Sequence, residues 1–166
     1  MPSTLAFPRA SSGYNPHGDK LTTHNFKVEY GTQSIPAVNR VGEVSDETET
    51  VAWGEGAVVM GDPYKRAGLT KTSNIRLERY FNPSDDTLRN LWKEVRDGKN
   101  VEDMQQPLAI HLLGDDVRAN KVALEIVLHN AWMCKYGVSD FDAHSKGALT
   151  EYAEFAGEYL EVKKGA

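Results

Sequence analysis

The segment LEIVLHNAWMCKYG, residues 124–137, decides the fold because its first half has the pattern of a strand inside a sheet. Four of its even positions carry large apolar side chains, namely Leu124, Ile126, Leu128 and Trp132. Side chains two residues apart on a strand lie on the same face. We therefore predict a buried strand here, with Trp132 anchoring the core.

The only cysteine of the chain, Cys134, follows His129 at a spacing that argues against a catalytic pair. An odd separation on a strand puts two side chains on opposite faces, and five residues of helix put them about 140° apart. Cys134 instead shares its parity with Leu128, which predicts a small buried apolar side chain. The five histidines show none of the local spacings of zinc sites, so no metal site is expected.

Length, charge and hydropathy restrict the class of protein. The 166 residues fit one domain, and the 24 acidic against 19 basic side chains give a net charge of −5, the wrong sign for general nucleic-acid binding. No run of eighteen apolar residues is present, so no membrane insertion is expected. Residues 1–21 are rich in Pro, Ser, Thr and Gly, which predicts a flexible N-terminal arm before a single domain over residues 22–166.

Strand patterns dominate the rest of the chain. Alternation or compact apolar character predicts strands in HNFKVEY (24–30), QSIPAVNRVGEV (33–44), TETVAW (48–53), SNIRLERYF (73–81), QPLAIHLLG (106–114) and NKVALEIVLHNAW (120–132). Pro36 favours an edge position or a bulge in the second of these. The four glycines and one proline of residues 54–72 predict a long loop.

One amphipathic helix is predicted over SDDTLRNLWKEVRDG, residues 84–98. Its apolar side chains recur at helical spacing, namely Leu88, Leu91, Trp92 and Val95. Trp92 is the largest of them and is predicted to anchor the core. Ser84 or Asp85 is expected to cap the first turn, and Gly98 to take the left-handed position that ends the helix.

The C-terminal segment ALTEYAEFAGEYLEV, residues 148–162, is ambiguous from its pattern alone. A helical stripe favours a helix slightly, whereas a strand requires a bulge, for which Gly157 is the natural place. Helices and strands do not alternate along the chain as a parallel sheet requires. The fold class is therefore mainly β within the α+β class, with an antiparallel sheet and one flanking helix.

Signals for catalysis and cofactors are weak. Gly56 and Gly61 have the glycine spacing of a phosphate loop, but Asp62 stands where such a loop has its lysine, so no nucleotide cofactor is expected. Scattered carboxylates, among them Asp140, Asp142 and the glutamates near the C-terminus, leave open a small β-domain hydrolase as an alternative. We predict no catalytic, cofactor or metal site.

The stretch HNAWMCKYGVSDFDAHSKGALTEYAEFAGEYLEV, residues 129–162, resembles the C-terminal signature of contractile-tail tube proteins. These proteins occur in myovirus-type phages and in phage-like contractile injection systems. The resemblance rests on Asn-Ala-Trp at 130–132, Lys-Tyr at 135–136 and Asp-Ala at 142–143, followed by an ending rich in Glu and Leu. Upstream, HNFKVEYG, RVGEVSDETETVAWGEG and IRLERYF followed by LRNLWKEV extend it in order over residues 24–163.

That resemblance implies a β-sandwich or barrel-like domain with one flanking helix, in which the C-terminal segment is a strand. It implies a virion structural protein that forms homohexameric rings stacked into a helical tube inside a contractile sheath, with DNA or an effector protein passing through the lumen. The implied partners are other copies of the chain, the sheath protein, baseplate and tube-initiator proteins, the tail terminator and the tape-measure protein.

The implied location is a virion tail, or an extracellular or cytoplasmic injection particle, assembled in the cytoplasm of the host or producer cell. The hexameric tube component of type VI secretion is a related alternative. Within this reading, residues 54–72 are predicted to build the contact between rings. The side chains expected to make it are Val58, Val59, Met60, Tyr64, Lys65, Arg66 and Leu69.

Overall fold

A computed structural model describes residues 23–53, 64–114 and 121–165 of the chain. The predicted N-terminal arm lies outside these residues. The described strands are β1 (Phe26–Tyr30), β2 (Gln33–Ile35), β3 (Val38–Val41), β4 (Asp46–Trp53), β5 (Tyr64–Thr72), β6 (Ile75–Tyr80), β7 (Gln106–Leu113), β8 (Val122–Val138), β9 (Thr150–Ala156) and β10 (Tyr159–Lys164). The described helices are α1 (Thr87–Arg96) and α2 (Val101–Met104).

The long strand β8 belongs to two antiparallel sheets that enclose one core. Strands pair in the order β2-β1-β7-β8-β9-β6-β3, and β10 adds to the N-terminal half of β8. Buried side chains from both halves form one cluster, including Val28, Leu108 and Leu128 from one sheet and Leu77 and Phe155 from the other. The mainly β, antiparallel, sandwich-like fold is as predicted, and β4 pairs with β5 in a separate two-stranded sheet.

A bulge in β8 corrects the predicted place of Trp132. Gln106 of β7 pairs with Ala131 of β8, whereas Leu108 pairs with Leu128, so β8 has one extra residue between these pairs. Asn130, within that stretch, adopts a positive φ of 53°. The extra residue reverses which positions face the core, so Ala131 and Met133 are buried, whereas Trp132 is half-buried and outside the core cluster. The prediction that Trp132 anchors the core assumed a strand without a bulge.

The two edge strands β2 and β3 are connected by a turn at Pro36 and Ala37. β2 is the edge beside β1 and β3 is the edge beside β6, which confirms the edge position expected from Pro36. Gly31, with φ of 62°, forms the tight turn between β1 and β2.

Helix α1 packs its apolar stripe on the sheets. Leu88 is fully buried, and Trp92 is partly buried and packs against the core cluster. Asp85 Oδ1 accepts a hydrogen bond from the Thr87 backbone N–H at 3.0 Å. Gly98 takes the predicted left-handed position after the helix, with a φ of 82°. The start of α1 is therefore tied down by Asp85, one residue before the helix cap at Asp86.

A second helix, α2, corrects the prediction of a single flanking helix. It is one turn long, and the Asn100 side chain accepts a hydrogen bond from the backbone N–H of Glu102 at its start. Its buried Met104 presents a carbonyl oxygen to the Tyr30 hydroxyl, which also lies 3.0 Å from the carbonyl oxygen of Ala131. Burial, helped by the Glu94 charge, raises the pKa of Tyr30 to about 12, so the hydroxyl remains a donor.

The C-terminal segment is extended, as the family resemblance implied, and not helical. β9 and β10 follow β8 in succession, and the chain passes between them at Gly157. A Cβ atom at Gly157 would collide with the buried Leu128 side chain, which explains glycine at this close approach.

Candidate assembly site

The hairpin of β4 and β5 is the most exposed element among the described residues. The prediction of a loop over residues 54–72 is wrong for its second half, which is a strand. Tyr64–Thr72 is a strand whose register with β4 shifts between Thr48 and Thr50. The side chains described on β4 are all exposed, as are those on β5 except Thr72, which is half-buried. Isolated two-stranded hairpins are only marginally stable in water, so this one is suited to bind a partner.

Apolar and charged side chains are both available on the hairpin. Val51 is 51% exposed and Leu69 is 73% exposed. β4 carries the acidic group Asp46, Glu47 and Glu49, and β5 carries the basic group Lys65, Arg66 and Lys71. Lys71 pairs with Glu49 across the two strands. Such a surface offers apolar contact together with charge complementarity.

The residues predicted to make the ring contact fall partly on this hairpin. Lys65, Arg66 and Leu69 lie on β5, and Tyr64 is its first residue. Val58, Val59 and Met60, like the glycine spacing at Gly56 and Gly61, lie outside the described residues. The role predicted for the seven residues stays a prediction.

A buried charged network connects the sheets to the start of helix α1. Arg79 on β6 is directly opposite Glu151 on β9, and these side chains are 1% and 0% exposed. Arg79 Nε donates to Glu151 Oε1 at 2.6 Å, while Arg79 Nη1 donates to the Pro36 carbonyl at 3.1 Å and to Asp85 Oδ2 at 2.8 Å. One guanidinium therefore joins β6, β9, the β2–β3 turn and Asp85, which lies two residues before α1.

Tyr136 on β8 completes this network. Its hydroxyl donates to Glu151 Oε2 at 2.6 Å. Burial, followed by the hydrogen bond to Glu151, raises the pKa of Tyr136, which keeps its proton on the hydroxyl. The hydrogen bonds from Thr87, followed by the bond from Arg79, lower the pKa of Asp85. Both oxygens of the buried Glu151 carboxylate thus have donors.

Sequence reasoning missed this network, although each strand carried a signal. Arg79 has the parity of the buried Ile75 and Leu77, and Glu151 has the parity of the buried Ala153 and Phe155. A charge on the apolar face of a strand requires a partner. The identity of that partner depends on the register of β6 against β9, which the pattern of a single strand does not contain.

The remaining carboxylates of the C-terminal segment have partners of their own. Glu154 lies near Arg76 and Lys135, Glu158 accepts from Asn130 at 2.7 Å, and Glu161 bonds His129 Nε2 at 2.7 Å. The bond with His129 lowers the pKa of Glu161. Within the described ranges, no group of three or more His, Cys, Asp or Glu side chains is arranged to hold a metal ion.

Cys134 and His129 have separate surroundings. Cys134 is half-buried, and its Sγ donates to the Glu154 carbonyl at 3.4 Å and accepts from Asn74 at 3.6 Å. Burial raises the pKa of this thiol, which opposes a reactive thiolate. The ring of His129 stacks on Tyr159 with 4.3 Å between centroids. The prediction that Cys134 is a small buried side chain of the core is wrong, because the bulge at Asn130 moves this residue off the core face.

Searches for known relatives give a family match and several structural matches. The model of the family described as T4-like virus tail tube protein gp19 matches residues 22–161. No curated protein sequence matches significantly. Of the helices described here, none is long and apolar enough to span a membrane.

Three solved structures illustrate the shared fold. The sheath/tube terminator of an extracellular contractile injection system, PVC, is 17% identical, with a TM-score of 0.74, over 87% of this chain and 96% of that one. The tube-terminating cap of the anti-feeding prophage is 15% identical, with a TM-score of 0.75, over 93% and 99%. Hcp1 from Flavobacterium johnsoniae is 17% identical, with a TM-score of 0.51, over 85% and 96%.

Proposed function

The chain belongs to the T4-like virus tail tube protein gp19 family, and from this premise we propose how its copies assemble and what they carry. Copies form hexameric rings, and the rings stack into the inner tube of a contractile phage tail or of a phage-like contractile injection system. DNA or an effector protein passes through the lumen. The observation that carries the proposal is the exposed β4–β5 hairpin, which lacks a third strand among the described residues.

The hairpin makes the contact between rings in this proposal. Leu69 and Val51 supply apolar surface that is largely exposed within the described subunit. Exposed apolar surface of this kind is a typical feature of a protein contact. Lys65 and Arg66 on β5 meet acidic groups of the adjacent ring, and Val58, Val59 and Met60 extend the same surface beyond the described residues.

Replacing both Val51 and Leu69 by serine is expected to leave a folded subunit that no longer forms tubes. The two side chains are exposed, so their loss removes little from the core, whereas each ring contact is lost in every copy. Electron microscopy counts tubes, and circular dichroism reports folding. Val101→Ser, which changes an exposed apolar side chain on α2, is the matched control.

Normal tubes from the Val51→Ser, Leu69→Ser variant would contradict the stacking role of the hairpin. The triple change of Val58, Val59 and Met60 to serine applies the same test to the neighbouring segment. Unfolding of that isolated subunit would show that these three side chains pack on their own core instead.

The proposal assigns no catalysis to the chain. Glu151, Glu154, Glu158 and Glu161 are each engaged by a partner, which leaves none of them as an unengaged general acid or base. Asp140 and Asp142 lie on an exposed loop, where a hydrolase would lack a water-excluding site. These contacts support a structural subunit over a carboxylate hydrolase.

The proposed partners are further copies of the chain, a sheath, a baseplate with its tube initiator, a terminator and a tape-measure protein. The fold is shared with components of a sheath–tube complex and a baseplate of contractile injection systems, which supports sheath and baseplate partners. The higher TM-scores with those particles than with Hcp1 favour them over a type VI tube. The particle assembles in the cytoplasm of the cell that makes it.

The single changes Cys134→Ala and His129→Ala are expected to preserve tubes. The two side chains have different partners and do not form a reactive pair, so each change removes only local contacts. Tube counts and biological activity of the particles are the measurements. Intact tubes without activity in either variant would contradict the absence of a chemical role.

A further inference from the structure

Phe141 is the most exposed of the large apolar side chains in the described part of the chain, at 82%. It lies in the loop that follows β8, with Asp140 before it and Asp142 after it. Residues 141–148 of this loop are all exposed. A phenyl ring this exposed is free to be buried by a partner, and buried aromatic side chains are common anchors of protein contacts.

An apolar groove of about 500 Å³ lies near the other end of β8. Its apolar lining includes Phe26, Val44, Ile110, Leu124 and Ile126. Arg40 is the positively charged residue of the lining. An apolar cavity of about 150 Å³ admits a benzene molecule, so the groove has room for a phenyl ring. The Arg40 side chain is 72% exposed and lies 3.5 Å from Glu78.

The anchor and the groove occur at opposite ends of one strand. Leu124 of the groove and Val138 before the loop are fourteen positions apart on β8, which corresponds to roughly 46 Å in a straight strand. Phe141 follows the end of that strand that lies beyond the bulge at Asn130, and not the end that lines the groove. The fitting occupant is therefore the Phe141 of a second copy.

We propose that Phe141 of one copy inserts into this groove of the next copy, with Asp140 and Asp142 facing Arg40. Because the two surfaces differ, the contact is head-to-tail, and repeated contacts of this kind produce rings or continuous stacks. This proposal rests on the proposed function, since it names a contact within the tube. It brings the carboxylates of Asp140 and Asp142 to Arg40, whose largely exposed guanidinium also lies 3.5 Å from Glu78.

Disulfide trapping tests the geometry directly. Phe141→Cys and Val44→Cys are combined in a Cys134→Ala chain, assembled and oxidised, and the products are separated without reductant. Head-to-tail contacts produce a ladder of covalent multimers larger than dimers. A chain with only one of the two new cysteines reaches a dimer at most and is the control. Assembled double-cysteine tubes without a ladder would overturn the proposal.

Changing the anchor tests its contribution to assembly. Phe141→Ser is expected to raise the critical concentration for tubes roughly tenfold or more, from the loss of one buried phenyl group per contact. Lys146→Ala in the same loop is the control and should leave it unchanged. Asp140→Lys with Asp142→Lys should also weaken assembly, and Arg40→Asp should restore it in part.

The outcomes separate this contact from the tube itself. If the unchanged protein forms no rings or tubes, the proposed function fails. If it forms tubes and Phe141→Ser forms them at the same concentration, only the present proposal fails.

Residues 1–22 precede Thr23, which also lines the groove. A dilute Phe7→Cys, Val44→Cys chain lacking Cys134 that closes a disulfide within one molecule would place those residues in the groove and overturn the contact between copies.

Discussion

Replacing Arg79 by methionine is expected to lower the free energy of unfolding by about 3–5 kcal/mol, because it leaves the buried Glu151 carboxylate without its cationic partner. Both side chains are essentially inaccessible to water, and Arg79 also holds Asp85 and the Pro36 carbonyl. Domains are stable by only about 5–15 kcal/mol in total. The change therefore removes a large part of the stability, and α1 loses one of its attachments.

Urea unfolding of dilute, unassembled protein measures this loss. Arg76→Met is the matched control, since Arg76 lies on the same strand with a side chain 41% exposed, and exposed ion pairs contribute about 0–1 kcal/mol. The double change Arg79→Met with Glu151→Leu is expected to recover stability relative to Arg79→Met alone, because no unpaired charge remains buried. A loss as small as that of Arg76→Met would show that the network does not hold the sheets together.

The strands that bury one face could be predicted from sequence, and the hairpin strand β5 could not. In β1 and β6 the apolar positions alternate because one face of the strand meets the core. β5 is exposed on both faces, so its residues YKRAGLTKT carry no such alternation and the sequence suggests a loop. Alternation of apolar and polar residues reports burial of one face, and a strand exposed on both faces lacks that signal.

The features that depend on contacts between distant strands, or that are too short to have a pattern, also could not be predicted from the sequence. The bulge at Asn130 is a property of the pairing between β8 and β7. The residues of β8 alone do not show where that pairing shifts. Helix α2 has four residues, too few for a helical period. Composition was enough to single out Leu69 and Lys65 for the predicted ring contact, whereas the exposure of Phe141, on which the proposed contact between copies rests, is visible only in the structure.

Truncating Phe155 to alanine is expected to cost about 3–5 kcal/mol, whereas truncating Trp132, the larger side chain, is expected to cost only about 1–2 kcal/mol. Phe155 is fully buried on β9, and its ring lies 5.2 Å from that of Tyr30, while Trp132 is half-buried outside the core cluster. For a chain of this size the Phe155→Ala change lowers the melting temperature by roughly 6–20 °C. The melting temperatures of both variants are compared at a protein concentration below that at which tubes assemble. A strand without the bulge places Trp132 on the core face, so a loss for Trp132→Ala equal to or above that for Phe155→Ala would contradict the bulged register of β8.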